Sequence, residues 1–186
     1  MLATMAILAT SALASTVNVL TNGDFESSGG SLTGWKGQNA TLALVPGNTS
    51  GHAAQVTTTG GTGTFAIKAA ANVVTGAAAG DVYVAGGQFL AASGKSICFK
   101  IKESGTTSKT VTGCTTGNGS WIPLSPFSYT VVSSGDTLDF FVEEKKAVNL
   151  DSFTVDDLTF TTDVSTIAPP TNLQATATSP TEIDLT

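Results

Sequence analysis

The side chains that could perform chemistry are few, and their spacing argues against catalysis. Two pairs of adjacent carboxylates, Glu143-Glu144 and Asp156-Asp157, lie in strand-like segments. Adjacent residues of a strand point to opposite faces, so neither pair can flank one scissile bond as paired catalytic carboxylates must. The sequence has no nucleophile elbow, phosphate loop or metal-hydrolase motif, and nothing pairs its one histidine, His52, with a cysteine. We therefore expect a protein that is not an enzyme.

The two cysteines have a spacing that suits a cross-strand pair. A hairpin folded about Thr106, with Gly105 as the permissive residue of a turn over residues 104–108, places Cys98 opposite Cys114. Both sulfur atoms then lie on one side of the hairpin. In an exported protein we expect these two residues to form a disulfide, and the alternative is two separate thiols.

The composition narrows the possible partners. Charged residues make up 12% of the 186 residues, and 14 Asp and Glu against 8 Lys and Arg give a net charge of -6. Such a chain lacks the excess of positive charge that attracts nucleic acid or an anionic bilayer. Low charge with abundant Thr, Val and Gly is typical of a secreted all-β protein.

The N-terminal segment, residues 1–14, is interpreted as a secretory signal peptide. Met1–Leu13 is apolar, and Ala12-Leu13-Ala14 fits the rule of small residues at a cleavage site. The segment is too short to span a bilayer, and the rest of the chain contains no longer apolar run, so membrane insertion is not expected. No basic residue precedes Lys36, which leaves open a true start upstream of Met1 or a native N-terminal strand or helix. The predicted location is secreted, or extracellular.

The rest of the chain alternates strand-like runs with Gly, Asn and Ser turns. This spacing predicts many short antiparallel strands, and hence an all-β sandwich or jelly roll of two sheets. Residues 69–79 are rich in alanine, but Asn72 and Gly76 favour a loop over a helix. The predicted strands are Val17–Leu20, Thr41–Val45, Ala53–Thr57, Thr64–Lys68, Val82–Ala91, Ile97–Glu103, Lys109–Thr115, Phe127–Val132, Thr137–Glu143 and Ser152–Thr161.

The alternation within these strands predicts which side chains face outward. Apolar residues such as Phe89, Phe99 and Phe140 occupy every second position and should form the core between the sheets. The opposite positions should form the outer face of one sheet. The residues predicted on this face, and as ligand contacts, are Gln88, Lys100, Lys102, Asp139, Phe141 and Glu143.

Two motifs carry a resemblance to a known family. The segment 18–27 reads NVLTNGDFES and is followed by LTGW at 32–35, while the domain closes with FTVDDLTF at 153–160. Together these resemble the carbohydrate-binding modules of the family 4/9/22 type. The resemblance covers nearly all of a domain at residues 15–162 and implies a galactose-binding-like jelly roll, a two-sheet antiparallel β-sandwich.

The resemblance also implies a structural calcium ion. Asp156 is expected to share a face with Leu158 and therefore to point inward, where a carboxylate is costly unless it is paired or bound to a metal. A hard cation with oxygen ligands would resolve this cost, and lysine is scarce nearby. The alternative is a hydrogen-bonded Asp156 and a solvated Glu26. The expected ligands are Glu26 and Asp156 through their side chains, and Asp24 and His52 through their backbone carbonyls.

The end of the sequence suggests a second domain. Residues 163–170, which contain Pro169-Pro170, resemble a linker. Residues 171–186 alternate like two strands, too few to bury their own apolar side chains, and they resemble the start of a fibronectin type III domain.

The predicted function is non-catalytic binding of a polysaccharide or cell-surface glycan by a monomeric module of a longer secreted protein. A glycoside hydrolase or lyase domain elsewhere in that protein is compatible with this prediction. The alternative is a structural or adhesive spacer without a glycan site. A binder should expose an aromatic ring in a groove, whereas a spacer should show a flat, Thr-rich face. Phe141 is the aromatic residue expected to project outward, since Trp35 and Trp121 are interpreted as packing residues.

Overall fold

Strands dominate the computed structural model, which describes residues 15–49, 51–60, 63–148, 150–164, 175–179 and 182–185. Residues 17–162 form one compact unit. A single 3-10 turn, Ser27–Gly29, is present among the described residues. The strands up to Val164 are β1 Ser15–Asn18, β2 Trp35–Gln38, β3 Ala40–Pro46, β4 His52–Thr58, β5 Gly63–Ala69, β6 Val82–Ala91, β7 Ser96–Ser104, β8 Lys109–Thr116, β9 Trp121–Pro123, β10 Phe127–Thr130, β11 Thr137–Ala147 and β12 Ser152–Val164.

These strands form two antiparallel sheets. One sheet has seven strands in the order β10-β6-β12-β4-β3, with β1 paired to β12 and β9 paired to β6. The other has five strands in the order β2-β5-β11-β7-β8. The predicted fold class, an all-β sandwich of two antiparallel sheets, is confirmed.

Aromatic side chains fill the space between the sheets. Phe140 of β11 lies at the centre of this core, with ring centroids 6.2 Å from Trp35, 5.7 Å from Phe99 and 5.5 Å from Phe160. Trp35 is 7% exposed, and its indole N–H donates to the carbonyl of Asn22 at 2.8 Å. The interpretation of Trp35 as a packing residue is therefore confirmed, as are the predicted core faces of β6, β7 and β11.

The predicted elements agree with most of the strands. Val82–Ala91 is reproduced as β6, and the segment 70–79 is a loop that contacts β11 through a bridge between Val74 and Leu138, while Ala69 ends β5. The strand β2 was not predicted, because it is only four residues long and contains Gly37. Strand β1 begins two residues earlier than predicted.

The boundaries of the domain were predicted only in part. The signal peptide at residues 1–14 and residues 165–170 of the linker lie outside the described residues. Asp163 and Val164, assigned to the linker, instead extend β12, where Asp163 accepts a hydrogen bond from Thr16 of β1 at 3.2 Å.

The C-terminal segment contains two more strands, β13 Ala175–Ser179 and β14 Glu182–Leu185. They pair antiparallel, with Ala175 opposite Leu185. This confirms two strands in that segment, whereas the start of a fibronectin type III domain remains a prediction. In the described part of the chain, no helix has the length and apolar character needed to cross a membrane.

Candidate functional site

The outward side of the five-stranded sheet brings most of the predicted contact residues together. We call this surface the outer face. One line of paired residues crosses all five strands of the sheet, and we call it the transverse row. From β2 to β8 it consists of Lys36, Lys68, Phe141, Lys100 and Thr112.

Phe141 lies in the middle of the transverse row, but its ring is covered. The Nζ atoms of Lys68 and Lys100 lie 5.0 Å and 4.4 Å from the ring centroid. Both are within cation–π distance, and the side chain of Phe141 is only 4% exposed. Phe141 therefore lies on the outward side of the sheet, as expected, but its ring is not open to solvent. Long lysine side chains spread over apolar surface while their charged ends stay near water, and the strand pattern does not reveal this.

Glu143 is a buried support of the outer face rather than an exposed contact. Its side chain is 3% exposed, and its carboxylate accepts a hydrogen bond from Lys100 at 2.8 Å and lies 3.9 Å from Lys145. The Lys145 Nζ also donates to Thr112 at 3.2 Å. Glu143 therefore holds two lysines in place on the outer face, which is a different role from the one predicted.

Two further predicted residues lie beside the transverse row. Asp139 of β11 is the register partner of Lys102 of β7, and Lys102 is in turn opposite Thr110 of β8. Lys102 is exposed and Asp139 is half-buried. Both face outward, as their positions in the alternation predict.

Gln88 does not belong to this surface. It lies in β6 of the seven-stranded sheet, where it is paired with Asp156. Its side chain contacts the amide of Asn48 and lies 3.5 Å from a carboxylate oxygen of Asp157. The prediction was wrong because alternation identifies the face of a strand but not the sheet to which the strand belongs.

Lys36 and Lys68 were missed by sequence reasoning. Lys36 lies in the unpredicted strand β2. Lys68 ends the predicted strand Thr64–Lys68, where it alternates with the buried Ile67 and should have been read as outward-facing. Both lysines are register partners across β2 and β5.

A cavity of about 460 Å³ adjoins the outer face at the disulfide end. The disulfide joins Cys98 and Cys114, which are opposite each other as predicted. The cavity is lined by Gly94, Lys95, Ser96, Cys98, Cys114, Glu144, Lys145 and Lys146.

Buried charges lie at the edge of this cavity. Lys95 binds Asp151 and lies 3.1 Å from Glu144, whose side chain is 2% exposed. Burial raises the pKa of Glu144, although Lys95 partly opposes the change. Burial also acts to raise the pKa of Asp151, but hydrogen bonds from Lys95 and the Val148 N–H outweigh it and the pKa is lowered. The hydrogen bond to Asp151 raises the pKa of Lys95, so the lysine stays charged.

The predicted calcium ligand Asp156 is fully buried, but not on the predicted face. Its Oδ2 accepts a hydrogen bond from the backbone N–H of Asn48 at 3.0 Å, and its Oδ1 accepts one from Asp157 at 2.8 Å. A bulge between Asp156 and Thr159, with Asp157 at φ 52°, changes the alternation. Asp156 therefore lies with Gln88, whereas Leu158 returns to the core.

The other predicted ligands meet at the opposite end of the same loop, between β3 and β4. The Oε1 atom of Glu26 accepts a hydrogen bond from the backbone N–H of His52 at 2.5 Å, and its Oε2 atom lies 2.9 Å from the His52 Nδ1. Asp24 is exposed, and its carboxylate accepts from the N–H of Glu26 at 3.3 Å.

The donor chemistry of this region suits a hard cation only if backbone carbonyls take part. The described residues contain no group of three or more His, Cys, Asp or Glu side chains placed to hold a metal ion. Two carboxylates supplemented by carbonyl oxygens form an all-oxygen set, which Ca²⁺ accepts. The carboxylates of Glu26 and Asp156 both accept hydrogen bonds within the protein, and the calcium site remains a prediction.

Solved structures with a similar fold include carbohydrate-binding modules and parts of two longer proteins, an α-L-arabinofuranosidase and a bacteriophage tailspike protein, with TM-scores of 0.61 and 0.57 and identities of 14% and 9%. The chain is similar to a family 61 module solved in complex with β-1,4-galactotriose, with a TM-score of 0.51 and 18% identity over 77% of this chain and 97% of that one. A family 4 module has a TM-score of 0.54 and 15% identity, covering 77% and 99% of the two chains. A xylan-binding domain of family 22 has a TM-score of 0.54 and 17% identity, covering 77% and 94%.

These likenesses confirm the predicted resemblance at the level of the fold. The compact unit has the jelly-roll sandwich of carbohydrate-binding modules. No protein-family model matches the sequence, and no curated protein matches it at a significant level.

Proposed function

We propose that residues 15–162 form a non-catalytic carbohydrate-binding module that binds a glycan on the outer face of the five-stranded sheet. The observation that carries this proposal is the transverse row, in which polar and charged side chains flank one aromatic ring across five strands. Polar groups around an aromatic surface are the usual means of binding a sugar ring. The fold shared with solved carbohydrate-binding modules supports the same conclusion.

The arrangement of the carboxylates supports binding without catalysis. Glu143 is held by Lys100 and Lys145, and Glu144 lies next to Lys95. Neither carboxylate is placed to act with the other on a bound sugar. A module of this kind in a longer secreted protein would raise the local concentration of its parent at the glycan.

A bound calcium ion would have a structural role in this proposal. Glu26 and Asp156 would hold it through their side chains, with the backbone carbonyls of Asp24 and His52 as further ligands. The ion would supply the positive charge that compensates a fully buried carboxylate. It would lie away from the outer face and would take no part in binding the sugar.

A structural or adhesive spacer is the second candidate function. It is favoured by one observation, namely that Phe141 is covered by Lys68 and Lys100 and is not an open platform.

Replacement of the ring separates these two functions. Phe141→Leu keeps an apolar side chain of similar size under the lysines but removes the aromatic surface. The protein is run in affinity electrophoresis against xylan, β-1,4-galactan and polygalacturonate. For the polysaccharide that retards the wild type, we expect Phe141→Leu to have about tenfold lower affinity. This corresponds to ~1.4 kcal/mol, near the upper end for one aromatic contact.

The control for this test is Val82→Ala, which shortens an exposed side chain of the seven-stranded sheet. Thermal unfolding of each variant verifies that the fold is intact. Retardation of Phe141→Leu equal to that of the wild type would remove the outer face from consideration, and absence of retardation for the wild type would favour the spacer.

A further inference from the structure

Positive charge is concentrated on the outer face of an otherwise acidic protein. The whole chain carries a net charge of -6, and all eight of its basic residues are lysines. Five of these lysines belong to the outer face, where the described residues contribute two carboxylates, those of Asp139 and Glu143. The five are Lys36, Lys68, Lys100, Lys102 and Lys145.

Three of these lysines lie on one line across the sheet. Lys36 is opposite Lys68, and Phe141 lies between Lys68 and Lys100. Neighbouring strands are about 4.8 Å apart, so Lys36 and Lys100 are separated by three strand intervals, or ~14 Å. The transverse row thus presents several ammonium groups to a ligand that lies across the strands.

This arrangement is unfavourable for the isolated protein. Like charges on directly opposed strand residues destabilise a sheet, and Lys36 and Lys68 are such a pair. The Lys36 ammonium donates to the backbone carbonyl of Ala70 at 2.9 Å. Among the described residues, Lys68 makes no ion pair, and its ammonium group lies over the Phe141 ring. The positive charges of Lys36 and Lys68 are therefore not neutralised by the sheet that carries them, whereas Lys100 is paired with Glu143.

The carboxylate nearest the transverse row, that of Glu143, already interacts with lysines of the protein. Glu143 is buried and binds Lys100, with Lys145 nearby, so it fixes their positions rather than cancelling the charge of Lys36 and Lys68. An external anion would meet the Lys36 and Lys68 ammonium groups, which form no ion pair among the described residues, and charge-assisted hydrogen bonds to ammonium groups are stronger than neutral ones.

We propose that the ligand of the outer face is an acidic linear polysaccharide, whose carboxylates or sulfates bind the lysines of the transverse row. This inference rests on the proposed glycan-binding function. Acidic groups of the ligand replace the ring as partners of Lys68 and Lys100. As these ammonium groups move to the ligand, the Phe141 ring becomes available for a sugar ring to stack on it.

The experiment compares ligands that share a backbone but differ in charge. The full chain is run in affinity electrophoresis against polygalacturonate and against highly methyl-esterified pectin, in which most of the same carboxylates are neutral. Neutral xylan and β-1,4-galactan and a sulfated galactan complete the panel. We expect retardation by an acidic polymer that falls as NaCl is raised, since salt screens exposed charge. The polygalacturonate and sulfated lanes distinguish carboxylate from sulfate recognition.

Matched variants assign the effect to the row. Lys36→Gln/Lys68→Gln should weaken binding to the acidic polymer by at least about tenfold, since two charged contacts are lost while the ion pair of Lys100 with Glu143 is kept. Lys109→Gln and Lys146→Gln together remove the same charge outside the row and should leave binding within about twofold. Thermal unfolding of both double variants checks that each is folded.

Each outcome decides a different point. Equal binding of polygalacturonate and methyl-esterified pectin, or full binding by Lys36→Gln/Lys68→Gln, would overturn the acidic-ligand inference. Binding of neutral xylan or galactan that is lost in Phe141→Leu would overturn it while preserving the proposed function. Duplex DNA is run as a further polyanion. If it retards the protein as strongly as the acidic polysaccharide does, the attraction is nonspecific, and this result would also overturn the inference. A wild-type chain that binds no polysaccharide would contradict both proposals.

Discussion

Two buried carboxylates, those of Glu103 and Asp136, join separate segments of this fold. Glu103, at the end of β7, is fully buried; it accepts hydrogen bonds from the Tyr129 hydroxyl and from the backbone of Ser133 at 2.9 Å. Burial raises the pKa of Tyr129, and the nearby Glu103 raises it further. Asp136 accepts hydrogen bonds from the backbone N–H groups of Thr106 at 2.6 Å and Thr107 at 2.8 Å. These two carboxylates tie the β7–β8 turn to the segment before β11.

Asp136 should make the stability of the protein depend on acid pH. Burial acts to raise its pKa, but hydrogen bonds from Thr107 and Thr106 outweigh burial and hold the pKa below its ordinary value of 3.8. Because the folded-state pKa is lowered, the stability that Asp136 contributes is present above pH ~4 and is lost as the pH falls through the folded-state value. We expect Asp136→Asn to have a lower Tm at pH 7, with the difference from the wild type shrinking between pH 4 and pH 2.

Thermal unfolding followed by circular dichroism across this pH range measures the effect. Asp163→Asn, which changes an exposed carboxylate, is the matched control and should follow the wild-type curve. A constant Tm difference between Asp136→Asn and the wild type at every pH would contradict the role given to Asp136.

Side-chain positions were only partly predictable from the sequence. The outward direction of Lys100, Lys102 and Phe141 follows from strand alternation. The covering of Phe141 and the burial of Glu143 do not, since they depend on lysine conformations and on neighbours from other strands. Asp136 was not singled out, because its role requires two N–H groups that are 29 and 30 residues away in sequence.

Among the strands, the β7–β8 hairpin is the element that the sequence predicted best. The predicted register, with Cys98 opposite Cys114, is the observed one. Gly105, the predicted permissive residue, has φ 144°, and a Cβ atom there would lie 2.3 Å from a carboxylate oxygen of Asp136. The spacing of the two cysteines and of Gly105 was sufficient to predict the register of this hairpin. By contrast, the sheet to which β6 belongs is determined by its pairing with the distant β12, so Gln88 was assigned to the wrong surface.

The disulfide should stabilise the edge of the five-stranded sheet. It joins residues 16 apart in sequence, and on the chain-entropy model a loop of this size contributes about 3 kcal/mol. We expect Cys98→Ala/Cys114→Ala to lower the free energy of unfolding by about this amount, as measured by urea denaturation. Addition of a reductant should destabilise the wild type but leave the double variant unchanged. An unaltered urea midpoint in the double variant would show that the disulfide adds no stability.

For the molecule as a whole, the opening and closing segments of the domain meet where the calcium ion is proposed. The N–H of Leu158 donates to the carbonyl of Gly23 at 2.8 Å, and the loop between β3 and β4 contacts both Asp156 and Glu26. The sequence motifs predicted the two-sheet fold because they mark these segments at both ends of the domain. Their pattern could not reveal the bulge after Asp156, which places that carboxylate on the other side of β12.

Calcium binding can be tested through global stability. An ion that binds only the native state at about 100 times its Kd adds ~2.7 kcal/mol, which for a chain of this size corresponds to a Tm change of about 5–10 °C. We expect EDTA to lower the Tm by this amount and added CaCl₂ to restore it. An identical melting curve with and without EDTA would count against the ion.

Two variants of this site are informative. Asp156→Asn should abolish the effect of EDTA, because it removes a proposed side-chain ligand. Asp24→Asn should retain it, because Asp24 is proposed to contribute only its backbone carbonyl. Loss of EDTA sensitivity in both variants would contradict this division of roles.

The pairing of β1 with β12 determines how the domain would respond to tension. Thr16 contacts Asp163 and Val19 contacts Phe160, so the strands run in opposite directions, and the start of one lies beside the end of the other. A force applied before residue 16 and after residue 163 would act first on the contact between Thr16 and Asp163. The strands β1 and β12 would then separate one residue pair at a time. Such a force would separate β1 from β12 in the seven-stranded sheet and would not load the five-stranded sheet directly.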